Sequence, residues 1–458
     1  MHAPDTARPN QFALLGQRRF APFFWTQFSG AGNDNLFKFA FTVMVTYRAE
    51  AASTLSAGLM VNLIAALYIL PFVLFSATSG QLADKFDKAA LMRKVKTLEI
   101  GIMLLALWGF VSGSVPALLA CAFGMGLHST LFGPAKYAYL PQHLNTTELT
   151  GGNGMTEMGT FVAILLGNLA GGLLMTFERG PLLAGGACLA VALAGWTVAR
   201  FIPATAAVEP GLRINWNPFT ETARNIRLVA SDRTVLQALL AISWMWFYGV
   251  AFLTQFPVFA KGVLGGDEAV ASLLLMVFSI GVGLGSLACE WLARGRVEIG
   301  LVPLGAIGMT VFGVDLYVAT RDLPHGAALQ GVAAFVRDPA HWRVMADLFL
   351  LSASAGIYSV PLYALIQHHT PDTHRARVIA ANNIINAIYM VVCSGYCAGL
   401  LAAGVSVPVL LLSVALLNAL AAAWLVWRQP LYAQRFVAWA RRRGGGAAAA
   451  SGSRPNRF

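Results

Sequence analysis

The stretch Gly30-Ala-Gly-Asn-Asp-Asn-Leu-Phe-Lys-Phe-Ala-Phe41 lies inside a long apolar segment, between Phe20-Ala-Pro-Phe-Phe-Trp-Thr-Gln-Phe28 and Thr42-Val-Met-Val-Thr-Tyr47. Two asparagines, an aspartate and a lysine interrupt residues otherwise suited to hydrocarbon. Each charge at the centre of a membrane helix costs about 2.5–3.5 kcal/mol on insertion scales. A chain that keeps such charges must give them partners or water. The fold therefore turns on whether this segment crosses a bilayer and on what its polar residues face.

Composition answers the first half of that question. Of 458 residues, 57% are hydrophobic and 12% charged, against about 25% charged in a soluble domain. Mean hydropathy is +0.63. Twelve apolar runs long enough to span a bilayer follow one another. They lie near 20–47, 55–80, 96–113, 115–140, 149–176 and 180–202, then 233–261, 268–292, 298–320, 343–368, 376–404 and 405–428. The runs are too long for strands, and no ten-residue alternation marks a lipid-facing barrel. The first is too long for a signal peptide and lacks a small-residue cleavage site. The expected fold class is an all-α polytopic membrane protein with 12 transmembrane helices.

Orientation follows from lysine and arginine. Of 32 such residues, Arg48, Arg179, Lys261, Arg321, Arg337 and Arg343 fall on one side, and Lys38 and Lys136 fall within runs. All the others fall on the side holding the termini, which is therefore expected to be cytoplasmic. The same asymmetry, with attraction to anionic lipid, accounts for the net charge of +11 without nucleic acid as a partner. Cys121, Cys188, Cys289, Cys393 and Cys397 all fall in or at the ends of apolar runs and read as packing residues. Cys393 and Cys397 stand one helical turn apart, which suits neither a disulfide nor a zinc site. His368-His369 reads as a solvated pair; no metal and no cofactor is expected.

The chain repeats itself. Gly80-Gln-Leu-Ala-Asp-Lys85 ends the second run and Gly285-Ser-Leu-Ala-Cys-Glu290 the eighth; Trp25-Thr-Gln-Phe-Ser-Gly30 in the first answers Trp244-Met-Trp-Phe-Tyr-Gly249 in the seventh. Pro134 and Pro361 correspond in runs four and ten, and Asn153 and Asn382 in runs five and eleven. Run n pairs with run n+6, which makes two parallel six-helix repeats. The expected domains are a bundle over 1–202, a cytoplasmic linker over 203–232 with Pro203, Pro210 and Pro218, a second bundle over 233–429, and a basic cytoplasmic tail over 430–458. Repeats related by an axis along the membrane normal match the major facilitator architecture, with substrate near the midplane between the halves.

Gln27, Asp34 and Lys38 fall at i, i+7 and i+11, one stripe of a helix, and Asp34 and Lys38 are near enough to pair. Asn33 and Asn35 add hydrogen-bonding capacity. Lys136 and Glu157 lie at matched depths on consecutive helices and are expected to pair or to reach one ligand group. Positions that correspond in the second half are uncharged: Thr254 and Gln255, then Asn382, Asn383 and Asn386. Asp315 and Asp347 fall near the non-cytoplasmic ends of their runs, where water is close. A cavity charged on one wall and apolar on the other suits an amphiphile with a zwitterionic head and a greasy tail. The expected substrate-binding set is Asn33, Asp34, Asn35, Lys38, Lys136, Glu157, Asn382 and Asn386.

Gly80-Gln-Leu-Ala-Asp-Lys-Phe-Asp-Lys88 resembles the facilitator loop motif G-x-L-A-D-[RK]-x-G-[RK]-[RK], with Asp87 in place of the second glycine and Ala89 in place of the last basic residue. Gly80, Asp84 and Lys85 are the expected gating residues, the aspartate approaching the positive end of a neighbouring helix. Gly167-Asn-Leu-Ala-Gly171 and Gly281-Val-Gly-Leu-Gly285 fit close helix packing. The region 321–342 reads either as a long loop or as a short amphipathic helix in the outer interface.

With these residues in hand, the chain resembles the lysophospholipid transporter branch of the major facilitator superfamily. The resemblance rests on Phe24-Trp-Thr-Gln-Phe-Ser-Gly-Ala-Gly-Asn-Asp-Asn-Leu-Phe-Lys38, Gly133-Pro-Ala-Lys-Tyr137, Gly152-Asn-Gly-Met-Thr-Glu-Met-Gly-Thr160, Ala163-Ile-Leu-Leu-Gly-Asn-Leu-Ala-Gly-Gly172 and Val360-Pro-Leu-Tyr-Ala-Leu-Ile-Gln367. It is strongest to the transporter portion of fused proteins that also carry acyltransferase and acyl-carrier-protein synthetase domains. The resemblance implies import of lysophospholipid, chiefly lysophosphatidylethanolamine, across the bacterial inner membrane for re-acylation. It also implies a cytoplasmic acyltransferase/acyl-carrier-protein synthetase as partner and Asp34 as the key buried acid; a monomer is expected. Stand-alone relatives place an arginine in helix seven; here Gly249-Val-Ala-Phe-Leu-Thr-Gln-Phe256 has no charge, and Lys38 takes that place.

Enzyme signatures are missing: no H-x4-D, G-x-S-x-G, H-E-x-x-H or Walker A pattern occurs. Other non-catalytic readings are a proton-coupled drug or small-metabolite exporter of the same fold, with Asp34 and Glu157 as proton carriers, and a non-transporting protein that recruits an acyltransferase through Arg224, Arg227 or the tail.

Overall fold

The protein's structure is a computed structural model that describes residues 10–47, 57–321, 323 and 329–444. Fifteen α-helices run through them: α1 Ala21–Tyr47, α2 Ala57–Lys85, α3 Lys88–Ser112, α4 Val115–His143, α5 Leu149–Met175, α6 Gly180–Ala199, α7 Pro218–Ala230, α8 Arg233–Gly262, α9 Glu268–Ala293, α10 Leu301–Thr320, α11 Val332–Arg337, α12 Trp342–His369, α13 Arg375–Ala402, α14 Val407–Arg428 and α15 Leu431–Gly444. Twelve are long. Eleven of these are apolar enough to cross a membrane by length and composition, and the twelfth is α1, the helix of the opening stretch. This is a multi-pass membrane protein.

Helix ends follow local chemistry. Asp87 caps α3 by accepting from Ala90 N, Asp232 caps α8 and Asp267 caps α9, each satisfying amide groups that a helix start leaves unpaired. Gly113 ends α3 in the left-handed region at φ 69°, where a Cβ is disfavoured. Inside the spans, Pro71, Pro134, Pro257 and Pro361 are accommodated because packed neighbours can satisfy the freed carbonyls.

Three boundaries differ from expectation. Helix α3 starts at Lys88 rather than near 96, which draws Lys96 and Glu99 into the bundle; both are fully buried. The linker contains the amphipathic helix α7, capped by Asn217. Over 431–444 the tail is the helix α15, anchored by the buried Tyr432 and by Trp439 Nε1 donating to Leu292 O at 3.0 Å. Residues 445–458 of the expected tail and 322 and 324–328 of the region 321–342 lie outside the described residues. The rest of that region holds the short α11, whose Phe335 is buried against the His341 ring, centroids 3.9 Å apart. That aromatic faces protein, not lipid.

The repeat is visible in the packing. Helix α1 packs on α5, α2 on α4 and α3 on α6; six spans later, α8 packs on α13, α9 on α12 and α10 on α14. Two symmetry-related seams join the halves, α2 against α13 and α5 against α9. Close approach needs glycine: a Cβ at Gly167 would stand 2.3 Å from Gly32 O, and one at Gly285 1.9 Å from Ala353 O. Backbones this near gain dispersion that larger residues would forbid.

Bonds between the halves gather at the end that carries the linker. Asn153 Nδ2 donates to Gln367 Oε1 at 2.6 Å, Gln367 Nε2 to Tyr137 O at 3.1 Å, and Thr150 Oγ1 to Arg296 O at 3.0 Å. The rings of Tyr137 and Tyr363 stack across the seam, centroids 4.5 Å apart and planes 2° from parallel. The linker end is sealed.

Candidate functional site

Next to that seal, between the halves, lies a cavity of about 300 Å³. Its first-half wall is ionic. Asp34 Oδ2 accepts from Tyr68 OH at 2.8 Å and from Ser129 Oγ at 2.5 Å. The Lys38 ammonium sits over the Tyr68 ring, 4.1 Å from its centroid. The two charges of α1 therefore meet through one tyrosine rather than by the direct ion pair expected, because Tyr68 and Ser129 reach Asp34 from α2 and α4.

Lys136 and Glu157 both line the cavity and also find other partners. Lys136 Nζ donates to Thr160 Oγ1 at 3.0 Å, and Thr160 in turn donates to Gln27 Oε1 at 3.0 Å. Tyr137 OH donates to Glu157 Oε1 at 2.5 Å. Tyr137 is itself stacked on Tyr363 of the other half, so the carboxylate is tied to the seam between the halves. Asp34, Lys38, Lys136 and Glu157 thus stand along one wall, each held by a neutral hydroxyl, amide or ring, which orients a charge without cancelling it; Lys96 and His128 line the cavity as well.

The opposite wall is uncharged. Trp246, Asn383, Asn386, Ala387 and Met390 face the ionic side, and Phe72, Phe132 and Ile164 extend an apolar lining. Asn386 lines the cavity while Ser243 Oγ donates to its Oδ1 at 2.7 Å. Asn35 also lines it, its own amide turned back to Ala31 O at 2.8 Å.

Two expected residues are elsewhere. Asn33 points away from the cavity and donates to Glu99 Oε1 at 2.6 Å; it lies about 100° around the helix from Asp34, on the side turned toward α3. Asn382 is buried beside the cavity, and its neighbour Asn383 lines it instead. Of the second-half acids, Asp315 lies in a solvent-exposed pair with Arg343 at 2.5 Å, as expected near water, whereas Asp347 is buried, only 3% exposed.

The motif residues meet the second half at the sealed end. Asp84 Oδ2 accepts from Arg377 Nε at 2.9 Å, its Oδ1 from Ala376 N at 3.3 Å, and Arg377 also bonds Glu209 of the linker at 2.6 Å. Ala376 N is one of the unpaired amides at the start of α13, where a carboxylate is favoured. Gly80 lets α2 approach α13: a Cβ there would be 2.9 Å from Arg377 Cα. Lys85 turns to the linker and donates to Leu212 O at 2.8 Å.

Sequence reasoning overlooked one charged group, the cluster of Lys96, Glu99 and His128, because Lys96 reads as a loop charge and Glu99 as the edge of a run. Its signal was the i, i+3 spacing of opposite charges. All five cysteines are free and buried, with Cys393 and Cys397 sulfurs 4.0 Å apart. His369 pairs with Asp232 at 3.2 Å, and no cluster of metal-ligating type occurs among the described residues.

The sequence pattern of the Major Facilitator Superfamily matches residues 23–336. The chain belongs to this superfamily. Among curated relatives, the lysophospholipid transporter LplT of Enterobacter sp. (strain 638) is 29% identical over 365 residues, 78% of this chain and 82% of its own. LplT of Escherichia coli O157:H7 (strain EC4115 / EHEC) is 29% identical over 323 residues, 69% and 74% of the two chains. Solved facilitator structures share the fold. The E. coli fucose:proton symporter FucP aligns with TM-score 0.65 at 14% identity over 90% of this chain and 98% of its own. The human organic anion transporter MFSD10 aligns with TM-score 0.67 at 13% identity over 91% and 100%.

Proposed function

We propose that this protein is a secondary transporter that moves lysophospholipid, of the lysophosphatidylethanolamine type, across the bacterial inner membrane toward the cytoplasmic leaflet by alternating access, with no catalytic step of its own. The observation that carries the reading is the split cavity: Asp34, Lys38, Lys136 and Glu157 on one wall, and Trp246, Met390 and uncharged amides on the other. A zwitterionic head group offers one cation and one anion, which an acid and a base held apart can each satisfy, while a single acyl chain needs only apolar surface. The LplT relatives, matched over most of both chains, support the same substrate class.

The two bundles, 1–202 and 233–429, are the rocking bodies, and Gly80, Asp84 and Lys85 belong to the latch that holds the linker end shut. The lysine and arginine bias makes that end cytoplasmic, with both termini and the tail 430–458 on the same side. In the state described, lipid enters from the far side. Asn35 and Asn386 add neutral contacts at the head group. The transporter acts as a monomer and delivers its cargo to a cytoplasmic acyltransferase/acyl-carrier-protein synthetase.

The test is a flip assay in reconstituted vesicles with labelled lysophosphatidylethanolamine. Wild-type protein is expected to move the label, and Asp34→Asn and Lys136→Ala to slow it by about tenfold or more, the scale of one lost charge-assisted hydrogen bond. Unchanged rates in both variants overturn the reading.

A further inference from the structure

A second cavity, of about 270 Å³, lies wholly inside the second half. Leu240 and Trp244 of α8, Tyr358 of α12, Tyr389 of α13, and Trp424 and Leu425 of α14 line it. Helices α13 and α14 touch only lightly, whereas both pack firmly on α8. Trp424, 41% exposed, marks the mouth of the cavity on the bilayer side.

Its polar groups are tyrosine hydroxyls without partners. Tyr358 is only 3% exposed, yet neither its hydroxyl nor that of Tyr389 makes a hydrogen bond among the described residues. Tyr389 and Tyr432 of α15 both come within electrostatic reach of Tyr358, and the buried Tyr432 hydroxyl is unpartnered as well. Hydroxyls gathered in apolar surroundings are costly unless another group bonds to them. Trp244 cannot serve, because its Nε1 already donates to Asn418 Oδ1 at 2.9 Å.

The lining sets the chemistry of what binds. No acid, base or histidine borders the cavity, so a phosphate, carboxylate or ammonium has no compensating charge inside it. A bare hydrocarbon chain suits the tryptophans but leaves the hydroxyls unpaired. An uncharged group with two neighbouring carbonyl acceptors between apolar chains satisfies both, and the paired acyl esters of a diacylglycerol backbone are such a group. A charged head group has its place outside. Arg428 ends α14 one turn, about 6 Å, beyond Trp424, and Arg435 follows Tyr432 by three residues on α15. Both arginines are exposed, and neither pairs with an acid among the described residues.

We propose that this cavity holds a diacyl phospholipid from the leaflet at the linker end. Its ester carbonyls accept from Tyr358 and Tyr389, and its phosphate lies beside Arg428 and Arg435. Every element of the site belongs to the second half, so the lipid keeps its place as the halves rock. It is a resident lipid and not cargo: a lysophospholipid, with one acyl ester, satisfies only one of the two hydroxyls. The site stands independently of the transport reading.

Photo-crosslinking in proteoliposomes tests this, with a phosphatidylglycerol probe that carries a diazirine beside one ester, and labelled peptides mapped by mass spectrometry. Label on wild-type protein is expected to concentrate around Tyr389 and Trp424, well above that at Leu104 and Trp108, which are exposed on α3. In Tyr358→Phe/Tyr389→Phe the excess is expected to fall about tenfold, the scale of two lost neutral hydrogen bonds. Arg428→Gln/Arg435→Gln is expected to lower it too, and added lysophosphatidylethanolamine to leave it unchanged. Even labelling of all lipid-facing helices in wild type overturns the site. A full excess in the tyrosine variant overturns the ester contact. If that variant does not fold, the arginine variant decides, since its changes are confined to exposed side chains: undiminished label there overturns the placement of the phosphate. Displacement of the probe by lysophosphatidylethanolamine overturns residence, because the cavity would then take cargo.

Discussion

Asp84 of the first half grips Arg377 of the second, with Oδ2 2.9 Å from Nε, while its other oxygen accepts the Ala376 amide at the start of α13. Both side chains are nearly fully buried, so the pair exists only while the linker end is shut. Removing one member of a buried pair costs about 3–5 kcal/mol in the state that contains it. Asp84→Asn is therefore expected to shift the population toward an open linker end. Spin labels at Asn145 and Arg294, which flank the seal from opposite halves, read the change: the long-distance peak grows in the variant, and an unaltered distribution refutes the latch.

Helix α5 reaches α1 through Gly167, where a Cβ would stand 2.3 Å from Gly32 O. Gly167→Ala has to prise the two backbones apart, which costs about 1–3 kcal/mol by analogy with overpacked cores. Gly186 of α6 meets nothing within 4 Å, so Gly186→Ala serves as control. Thermal unfolding in detergent is expected to show a lowered Tm for the first and none for the second.

The twelve runs of the sequence coincide with the twelve long helices, because apolar length and the charge of the turns fix a spanning helix almost by themselves. The repeat was equally legible in Gly80–Lys85 and Gly285–Glu290, and it reappears as the paired packing of α2 on α4 and α9 on α12. Helical phase was less so. Asn33 and Asn382 were assigned to the cavity along with Asp34, yet Asn33 turns to Glu99 and Asn383 lines the cavity in place of Asn382, since one residue turns a side chain by about 100° and apolar runs do not fix rotation so finely. The Asp34–Lys38 and Lys136–Glu157 spacings showed proximity but not partners. Tyr68, Ser129, Tyr137 and Thr160 intervene, and hydroxyls on neighbouring helices leave no periodic trace in the sequence.

Arg19 and Glu148 clamp the start of α1 to the start of α5 through two hydrogen bonds, at 2.6 and 2.8 Å. The Arg19 guanidinium holds the Glu148 carboxyl below the usual carboxylate range. A depressed folded value stabilises above the unfolded pKa, about 4.3 for glutamate, and that contribution is lost as pH falls through the folded value. The pair is partly solvated, so its worth is under about 1 kcal/mol. The Tm difference between wild type and Glu148→Gln is expected to be full above about pH 5 and to shrink on acidification. A gap that widens in acid contradicts the pairing.

Tyr68 does two things at once: its hydroxyl donates to Asp34 at 2.8 Å, and its ring supports Lys38 at 4.1 Å. Tyr68→Phe removes the first contact and keeps the second; Tyr68→Ala removes both. A hydrogen bond to a charged group is worth about 1.5–3 kcal/mol, or roughly tenfold to a hundredfold in affinity, if Asp34 must be held in place to meet a head group. Ser129 remains as a second donor at 2.5 Å, so the phenylalanine variant is expected near the lower figure and Tyr68→Ala well beyond it. Titration of purified protein with labelled lysophosphatidylethanolamine separates the two. Equal affinities for both variants mean that the ring contributes nothing, and wild-type affinity in both means that Asp34 meets the lipid without help from α2.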